Sequence, residues 1–217
     1  DLVRNLGIAA GGTVMEDCRV LEACREGKYT SVLVQTHDKK YVEYRTEHFV
    51  NALGSGAGKL CDSMGIDAGL YPVRHQAFIT RRLPMLGKHG TNLDMLIDRQ
   101  DYKGFSAVYG QQIAYTGQII GCASPKLDAM RIDKNLKVNT KAFLEIVSEM
   151  FSEWIPDLAG VGIQAVWAGY YTEPRYIVDP ELGLFVGMRG HGFMLSQYIA
   201  RMYVDKLLGR PVPEYFE

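Results

Sequence analysis

The sequence predicts an α/β (α+β) protein in which an antiparallel sheet is inserted between two segments of another domain. Short strand-like runs fill most of the 217 residues, and only two stretches have the periodicity of long helices. The central strands follow one another through short polar turns, which is typical of antiparallel pairing because parallel strands need a long crossover. The middle of the chain therefore predicts a meander, and its two flanks predict a second structural unit.

The composition is that of an ordinary globular protein and excludes several classes of function. Lysine and arginine number 24 and aspartate and glutamate 25, a net charge of −1, so nothing in the charge favours nucleic acid or an anionic membrane as partner. No apolar run approaches the roughly 18 residues of a membrane helix. The four scattered cysteines lack metal-site spacing and predict reduced thiols in a cytoplasmic protein, with a Cys18–Cys24 disulfide as the open alternative.

The N-terminal segment predicts the last turns of a helix, a glycine-rich break and a β-rich region. Because it opens near the end of an element, we expect the chain to continue something N-terminal to it. Residues 13–53 contain the strand-like runs "TSVLVQT", "KYVEYR" and "HFVNAL", with "HDKK" as a hairpin turn. A turn and a short helix follow in "SGAGKLCDSMG".

The middle of the chain predicts four strands and one helix. The strands are "YPVRHQAFITRRL", "NLDMLID", "FSAVYG" and "GQIIGCA". Residues 139–154 read as a helix with candidate N-caps at Asn139 and Thr140 and a stop at Pro156. One face of this helix is apolar, through Phe143, Val147, Met150 and Trp154.

The last segment predicts three strands and a closing helix. The strands are "GIQAVWAGYYT", "YIVD" and "LGLFVGM". The helix runs from about Phe193 to Leu208, and Gly209 and Pro211 mark its end.

Two glycine-rich turns stand before helices and are candidates for ligand binding. "NALGSGAGKL" at 51–60 is neither a P-loop nor a GxGxxG match, since Lys59 occupies the last glycine position. It is either a flexible turn or a place where backbone N–H groups approach a pyrophosphate. In "GMRGHGFMLS", His191 is either structural or functional, and the free N–H groups of the helix start suit an anionic or electron-accepting ligand atom.

Two strands carry polar or aromatic side chains with more than one interpretation. In "WAGYYTEPRY", Tyr170 and Tyr171 point to opposite faces of a strand, so one of them should line whatever lies beyond the core. Arg175 either clamps a carboxylate or lies on the surface. In "YPVRHQAFIT", Arg74 and His75 alternate between faces, and a solvated edge is the favoured interpretation.

Taken together, these segments resemble the flavin-dependent amine and amino-acid oxidoreductases, the family of D-amino-acid oxidase, glycine oxidase, sarcosine oxidase and dye-linked proline dehydrogenases. The resemblance rests on "GGTVMEDCRV", "HFVNALGSGAGKL", "YPVRHQAFIT", "GQIIGCASP", "IPDLAGVGIQAVWAGYYT" and "GLFVGMRGHGFMLSQYIARMYVDKLLG". Their order and spacing match the C-terminal three-fifths of such proteins. "GHGFM" and "WAGYY" are the most specific pieces, and the sarcosine and proline dehydrogenase branch is the most similar.

The resemblance implies two domains. Residues 1–69 and 159–217 would belong to a Rossmann-like FAD-binding domain, and residues 70–158 would form an antiparallel-sheet substrate domain. The family's GxGxxG fingerprint is not in this sequence. The resemblance therefore implies a missing N-terminal FAD-binding segment or subunit, without which the chain should not hold FAD tightly.

The resemblance also assigns cofactor-binding residues. Val20 would meet the adenosine side of FAD through its backbone, and Gly54 would lie near the ribose and pyrophosphate. The isoalloxazine would be bordered by Gly190, His191, Gly192, Phe193 and Met194. FAD should be non-covalent, because the cysteine that some relatives use for attachment has no counterpart near Trp167 to Tyr171. No metal is expected.

The implied reaction is hydride transfer from the carbon next to an amine nitrogen to FAD, which gives an imine that hydrolyses. Tyr171 and Arg175 would position the substrate, with Arg189 or Arg74 as further carboxylate partners. Tyr171 stands where several amino-acid oxidases have an arginine, and "TEPRYIVD" replaces the usual "TPDGxPIIG". These departures leave two alternatives open: a non-catalytic flavoprotein-fold scaffold or assembly factor, and a 2-hydroxy-acid dehydrogenase.

Overall fold

The computed structural model describes residues 2–87, 90, 92–100, 104–125, 140–173 and 176–214. The chain divides into two compact units. The first contains Asp1–Leu70, Arg175–Gly187 and His191–Glu217, and the second contains Tyr71–Pro174 and Met188–Gly190. In chain order the elements are α1 (Leu2–Ala9), β1 (Arg19–Glu26), β2 (Tyr29–Gln35), β3 (Tyr41–Thr46), α2 (Ala57–Ser63), β4 (Tyr71–Thr80), β5 (Leu96–Asp98), β6 (Phe105–Gln112), β7 (Ile119–Pro125), α3 (Thr140–Trp154), β8 (Ile163–Glu173), β9 (Ile177–Asp179), β10 (Leu184–Val186) and α4 (Gly192–Leu207).

The first unit is built on an antiparallel sheet in the order β1-β2-β3. The turn before β3 is closed by a hydrogen bond from the Thr36 amide to the Lys40 carbonyl, and Lys39 adopts a positive φ of 64°. The apolar side of this sheet packs on α2, with Ala23, Val32, Val34 and Leu60 forming a small core. β9 and β10 form a separate antiparallel hairpin.

The predicted strand "HFVNAL" is wrong: it contributes one isolated parallel bridge, between Asn51 and Leu184. The side chain of Asn51 explains the difference. Its Oδ1 accepts from the Leu53 amide, and its Nδ2 donates to the Ala57 carbonyl. Asparagine that bonds to nearby backbone favours a turn over a ladder, so the chain leaves the extended conformation here and begins α2.

The second unit is a five-stranded antiparallel sheet in the order β5-β6-β7-β4-β8, and α3 covers one of its faces. The predicted helix at 139–154 is confirmed as α3, although Asn139 lies outside the described residues. Phe78 meets the ring of Phe151 edge-on at 5.5 Å and that of Phe143 at 6.1 Å. These rings and Met150 are almost fully buried and form the main core.

The structure places the end of the second unit later than the sequence did. β8 pairs with β4 along nearly its whole length, from Tyr71 opposite Glu173 to Thr80 opposite Ile163. The compact unit therefore continues to residue 174, whereas the sequence placed the end of the substrate domain at residue 158. The roles of the two predicted domains stay a prediction.

Two simpler expectations can be compared with the structure. Cys18, Cys24, Cys61 and Cys122 are all free thiols, so the alternative Cys18–Cys24 disulfide is not formed. In the part of the chain that the structure describes, every helix is too short or too polar to cross a membrane.

We expect Gly121→Ala to cost about 1–3 kcal/mol of unfolding free energy. A Cβ on Gly121 would clash with the Tyr109 carbonyl oxygen and would come within 2.5 Å of the Phe78 ring. The matched control is Gly169→Ala on β8, where a Cβ meets nothing within 4 Å. Urea unfolding of both variants measures the difference, and equal stabilities would contradict this account of the packing.

Candidate functional site

A cavity of about 300 Å³ lies on the sheet of the second unit, on the face opposite α3. Its wall comes from four strands. Directly paired residues of antiparallel strands point to the same side of the sheet, so their side chains meet on one face. His75 is paired with Gly169, and Ala77 is paired with both Trp167 and Cys122. No lysine, arginine, aspartate or glutamate among the described residues lines this cavity.

The most unusual feature of the cavity is a stacked pair, His75 and Tyr171. Their ring centroids lie 3.8 Å apart with an interplanar angle of 27°. Tyr171 pairs with Val73, so the two rings are diagonal neighbours on β4 and β8 and lie within reach of each other. The side chain of His75 is only 9% exposed, and its Nδ1 is buried without a hydrogen-bond partner.

The favoured interpretation of β4 as a solvated edge is wrong. Arg74, His75 and Gln76 are all buried. The reason is that β4 lies inside the sheet, with β7 on one side and β8 on the other, so side chains of neighbouring strands flank its own on both faces. Arg74 alternates to the face opposite His75, away from the side chains that line the cavity.

His75 is neutral at physiological pH. Burial, with a smaller contribution from the positive charge of Arg189, lowers its pKa to about 4. Two further titratable groups of the wall, Tyr109 and Cys122, are also uncharged. Burial, followed by the neighbouring Cys122 and Tyr171, raises the pKa of Tyr109, and burial also raises the pKa of the Cys122 thiol.

The segment Met188–Gly190 packs against β8 in the same unit. Arg189 has a positive φ of 50°, and its Nε lies 2.8 Å from Oε2 of the half-buried Glu173. Gly190 lies against the Tyr171 ring so closely that a Cβ would come within 2.8 Å of Cε2. The charge of Arg189 is therefore paired, which weakens it as a partner for a substrate carboxylate.

In the first unit, α4 begins at Gly192 with His191 as its N-cap. The Nδ1 atom of His191 lies 2.8 Å from the Tyr176 hydroxyl, so the ring is held by a tyrosine. No side chain caps the N–H groups of the first turn, and Phe193 and Met194 are strongly exposed. This helix start offers free donors and a partial positive charge, as predicted from its glycines.

The second glycine-rich turn is also in the first unit. Gly54 has a positive φ of 55°, and a Cβ there would meet nothing within 4 Å. A single turn of 3₁₀ helix at Gly54–Gly56 leads into α2 without a side-chain cap. Val20 lies in β1, paired with Val34. An open glycine turn and an uncapped helix start have the donors that a dinucleotide cofactor needs, so these residues fit FAD.

The structure thus divides the predicted site residues between the two units. Tyr171, Arg189 and Gly190 lie together in the second unit, whereas Val20, Gly54 and the residues from His191 to Met194 lie in the first. Arg175 lies outside the described residues. Sequence reasoning missed the cavity residues Tyr109, Cys122 and Trp167, because only the strand order brings them together. Among the described residues, no group of His, Cys, Asp or Glu could hold a metal ion.

Known proteins are similar to this chain in sequence and in fold. The family model described as FAD dependent oxidoreductase matches residues 2–206. Glycine oxidase from Geobacillus kaustophilus has a TM-score of 0.71 at 18% identity, over 97% of this chain and 54% of that one. L-proline dehydrogenase from P. horikoshii has a TM-score of 0.71 at 25% identity, over 97% and 55%.

A third solved structure, iminodiacetate oxidase from Chelativorans sp. BNC1, has a TM-score of 0.69 at 15% identity, over 98% of this chain and 55% of that one. The chain therefore spans about half the length of these structures. No curated protein sequence matches the chain. The structural similarities confirm the predicted fold class.

We expect His75 to destabilise the protein as the pH falls from 6.5 to 4. The unfolded histidine titrates near 6.5 and the folded one near 4. Between these two values the unfolded state binds more protons than the folded state, so the free energy of unfolding decreases as the pH is lowered. The loss is roughly 3 kcal/mol once both states are protonated.

Urea unfolding across this pH window measures the loss. His75→Phe, which keeps a ring on Tyr171 but cannot titrate, should lack this component. An identical pH dependence in the two proteins would contradict the expectation. The charged and titratable groups around His75 are Arg189, Tyr109 and Tyr171. Burial is the larger cause of the low pKa of His75, and the charge of Arg189 is the smaller one. Arg189→Gln should therefore raise the pKa of His75, but by less than transfer of the ring to water would.

Proposed function

Because the chain belongs to the family of FAD-dependent oxidoreductases, we propose that it is part of an enzyme that oxidises the C–N bond of an amine or amino acid. The observation that carries the proposal is the neutral, aromatic cavity on the open face of the second unit's sheet. Sites for small molecules are concave and mostly apolar, with a few placed polar groups. FAD, when bound, supplies a two-electron acceptor for a hydride.

The cavity is suited to binding the substrate and excluding water. Trp167, Tyr109 and Tyr171 supply apolar surface for the substituents of a small substrate. His75, Tyr109 and Cys122 remain neutral, so none of them places a charge in the wall of the cavity. In the proposed reaction the carbon next to nitrogen gives up a hydride and the nitrogen loses a proton. The imine that results is hydrolysed by water.

Residues of the first unit would hold the cofactor. We assign the uncapped start of α4, from His191 to Met194, to the electron-accepting ring, because its N–H groups stabilise the negative charge that reduction leaves there. The Gly54 turn would approach the pyrophosphate, and Val20 would meet the adenosine side.

We keep FAD as non-covalent. Among the described residues, the cysteine that lines the cavity is Cys122, and burial keeps its thiol protonated and therefore unreactive. Substrate positioning is proposed for Tyr171, Arg175 and Arg189; Arg74 is not retained as a carboxylate partner, because it lies on the face of β4 opposite the cavity. Free thiols support a cytoplasmic location, and a missing N-terminal segment or subunit would complete the FAD site.

The proposed function predicts that amines bleach the flavin of the holoenzyme. We expect anaerobic addition of proline, sarcosine or glycine to reduce the bound FAD, followed as loss of visible absorbance in a stopped-flow instrument. Failure of every amine to bleach the flavin would sink the proposal and favour a scaffold or assembly factor. Bleaching by 2-hydroxy acids alone would favour a dehydrogenase of hydroxy acids.

Replacing Trp167 tests whether the cavity is where the substrate binds. Trp167→Ala should lower kcat/KM roughly 10- to 100-fold, because the substrate loses a large apolar contact. The matched control is Tyr115→Ala, an aromatic side chain of the same unit that is 83% exposed and outside the cavity. Equal kinetic effects in both variants would contradict this location.

A charge at the start of α4 should shift the redox potential of bound FAD. Met194→Lys should raise the midpoint potential and Met194→Glu should lower it, each by roughly 10–20 mV, if the ring lies at this helix end. Ala200→Lys, an exposed position further along the same helix, is the control and should leave the potential unchanged. Spectroelectrochemical titration of the holoenzyme gives these values, and equal shifts at both positions would contradict the assignment.

A further inference from the structure

We propose that Nε2–H of His75 donates a hydrogen bond to the carboxylate of the substrate, so that the cavity takes amino acids in preference to simple amines. This inference rests on the proposed function and names the substrate class of the same site. It assigns carboxylate recognition to a neutral histidine on β4, where the cavity wall has no charged side chain among the described residues.

The His75 ring is part of the cavity wall. The side chain lines the cavity, is nine-tenths buried, and has one face covered by Tyr171 at 3.8 Å. A ligand in the cavity therefore meets an edge of the imidazole. Nδ1 is the ring nitrogen that is fully buried, so the other ring nitrogen, Nε2, is the one left to meet a ligand.

The two ring nitrogens of His75 differ in their surroundings, and this difference decides which one carries the proton. A neutral imidazole has one N–H donor and one acceptor nitrogen. Nδ1 is buried with no hydrogen-bond partner among the described residues. An orphaned buried N–H group is rarer in proteins than an orphaned acceptor. The arrangement therefore favours the proton on Nε2, the nitrogen that remains to reach the cavity, and makes His75 a donor toward a ligand.

Few charges surround the donor. Arg189 lies near enough to lower the pKa of His75, but its Nε is bound to Glu173 at 2.8 Å. Burial, followed by the neighbouring Cys122 and Tyr171, raises the pKa of Tyr109, so its hydroxyl is uncharged. A carboxylate accepts hydrogen bonds without donating any, and bonds to a charged acceptor are stronger than neutral ones. Of the ligand groups in an amino acid, the carboxylate is the one that a histidine donor selects.

The stacked pair bears on substrate choice. Tyr171 stacks on His75, and the stack would hold the imidazole in place before a ligand enters. Because the cavity wall has no charged side chain among the described residues, His75 would then be the group that distinguishes a substrate with a carboxylate from one without it. Loss of one hydrogen bond to a charged group typically corresponds to a change of about 10- to 100-fold in affinity.

The test uses matched substrates on the FAD-loaded holoenzyme. L-proline carries the carboxylate, whereas prolinol and pyrrolidine present the same ring nitrogen without it. We expect kcat/KM for L-proline to exceed that for the other two, chiefly through KM. His75→Phe, which keeps the stack on Tyr171, should shrink this preference about 10- to 100-fold.

Two further variants identify the ring nitrogen. His75→Gln places an amide donor near the position of Nε2 and should restore most of the preference, whereas His75→Asn places it near Nδ1 and should not. Equal preference in the wild type and in His75→Phe, or rescue by the Asn variant alone, would overturn the inference. Oxidation of pyrrolidine as efficient as that of L-proline would do the same while leaving the proposed function intact.

A binding measurement removes any dependence on turnover. In protein labelled with ¹⁵N-histidine, His75 should show a protonated Nε2 and an unprotonated Nδ1. Addition of pyrrole-2-carboxylate, a planar carboxylate analogue, should shift the Nε2–H proton downfield, and addition of pyrrole should not. A protonated Nδ1, or equal shifts with both ligands, would contradict the proposal even if no amine reduces the flavin.

Discussion

The position of β4 between β7 and β8 is the constraint on which the second unit depends. An interior strand is hydrogen-bonded along both edges, and its side chains alternate between the two faces of the sheet. One face of β4 supplies Phe78 to the core beneath α3, and the other supplies His75 and Ala77 to the cavity. The register of β4 thus determines both the core and the cavity wall. A shift of β4 by one residue would move its core side chains to the cavity face and its cavity side chains to the core.

Local patterns in the sequence predicted most of the elements but not their partners. α3 was predicted because its apolar residues recur with helical spacing, and β2 and β3 because they are short runs around a polar turn. β8 belongs to the second unit because it pairs with β4. The paired residues are almost a hundred positions apart in the sequence, and local periodicity does not predict such a contact. The strand expected at residues 48–53 failed for a local reason, since one asparagine redirects the backbone by bonding to it.

The two halves of the candidate site differ in how far the sequence predicts them. The starts of α2 and α4 were found from glycines beside a helix, because the backbone requirement lies within a few consecutive residues. The cavity was not found, because His75, Tyr109, Cys122 and Trp167 come from four strands and meet only through the sheet order. The available signal was the presence of polar residues within the apolar strand β4. The sequence did not reveal that these residues, which alternate between the two faces, are all buried.

The alternation of side chains across the five-stranded sheet has a consequence for how such a protein can diverge. Residues of the core and residues of the cavity wall are neighbours in sequence, yet they lie on opposite sides of one layer of backbone. Side chains on the cavity side do not pack beneath α3. Single changes there can therefore alter the shape of the cavity, while the hydrophobic layer that holds the strands together is retained.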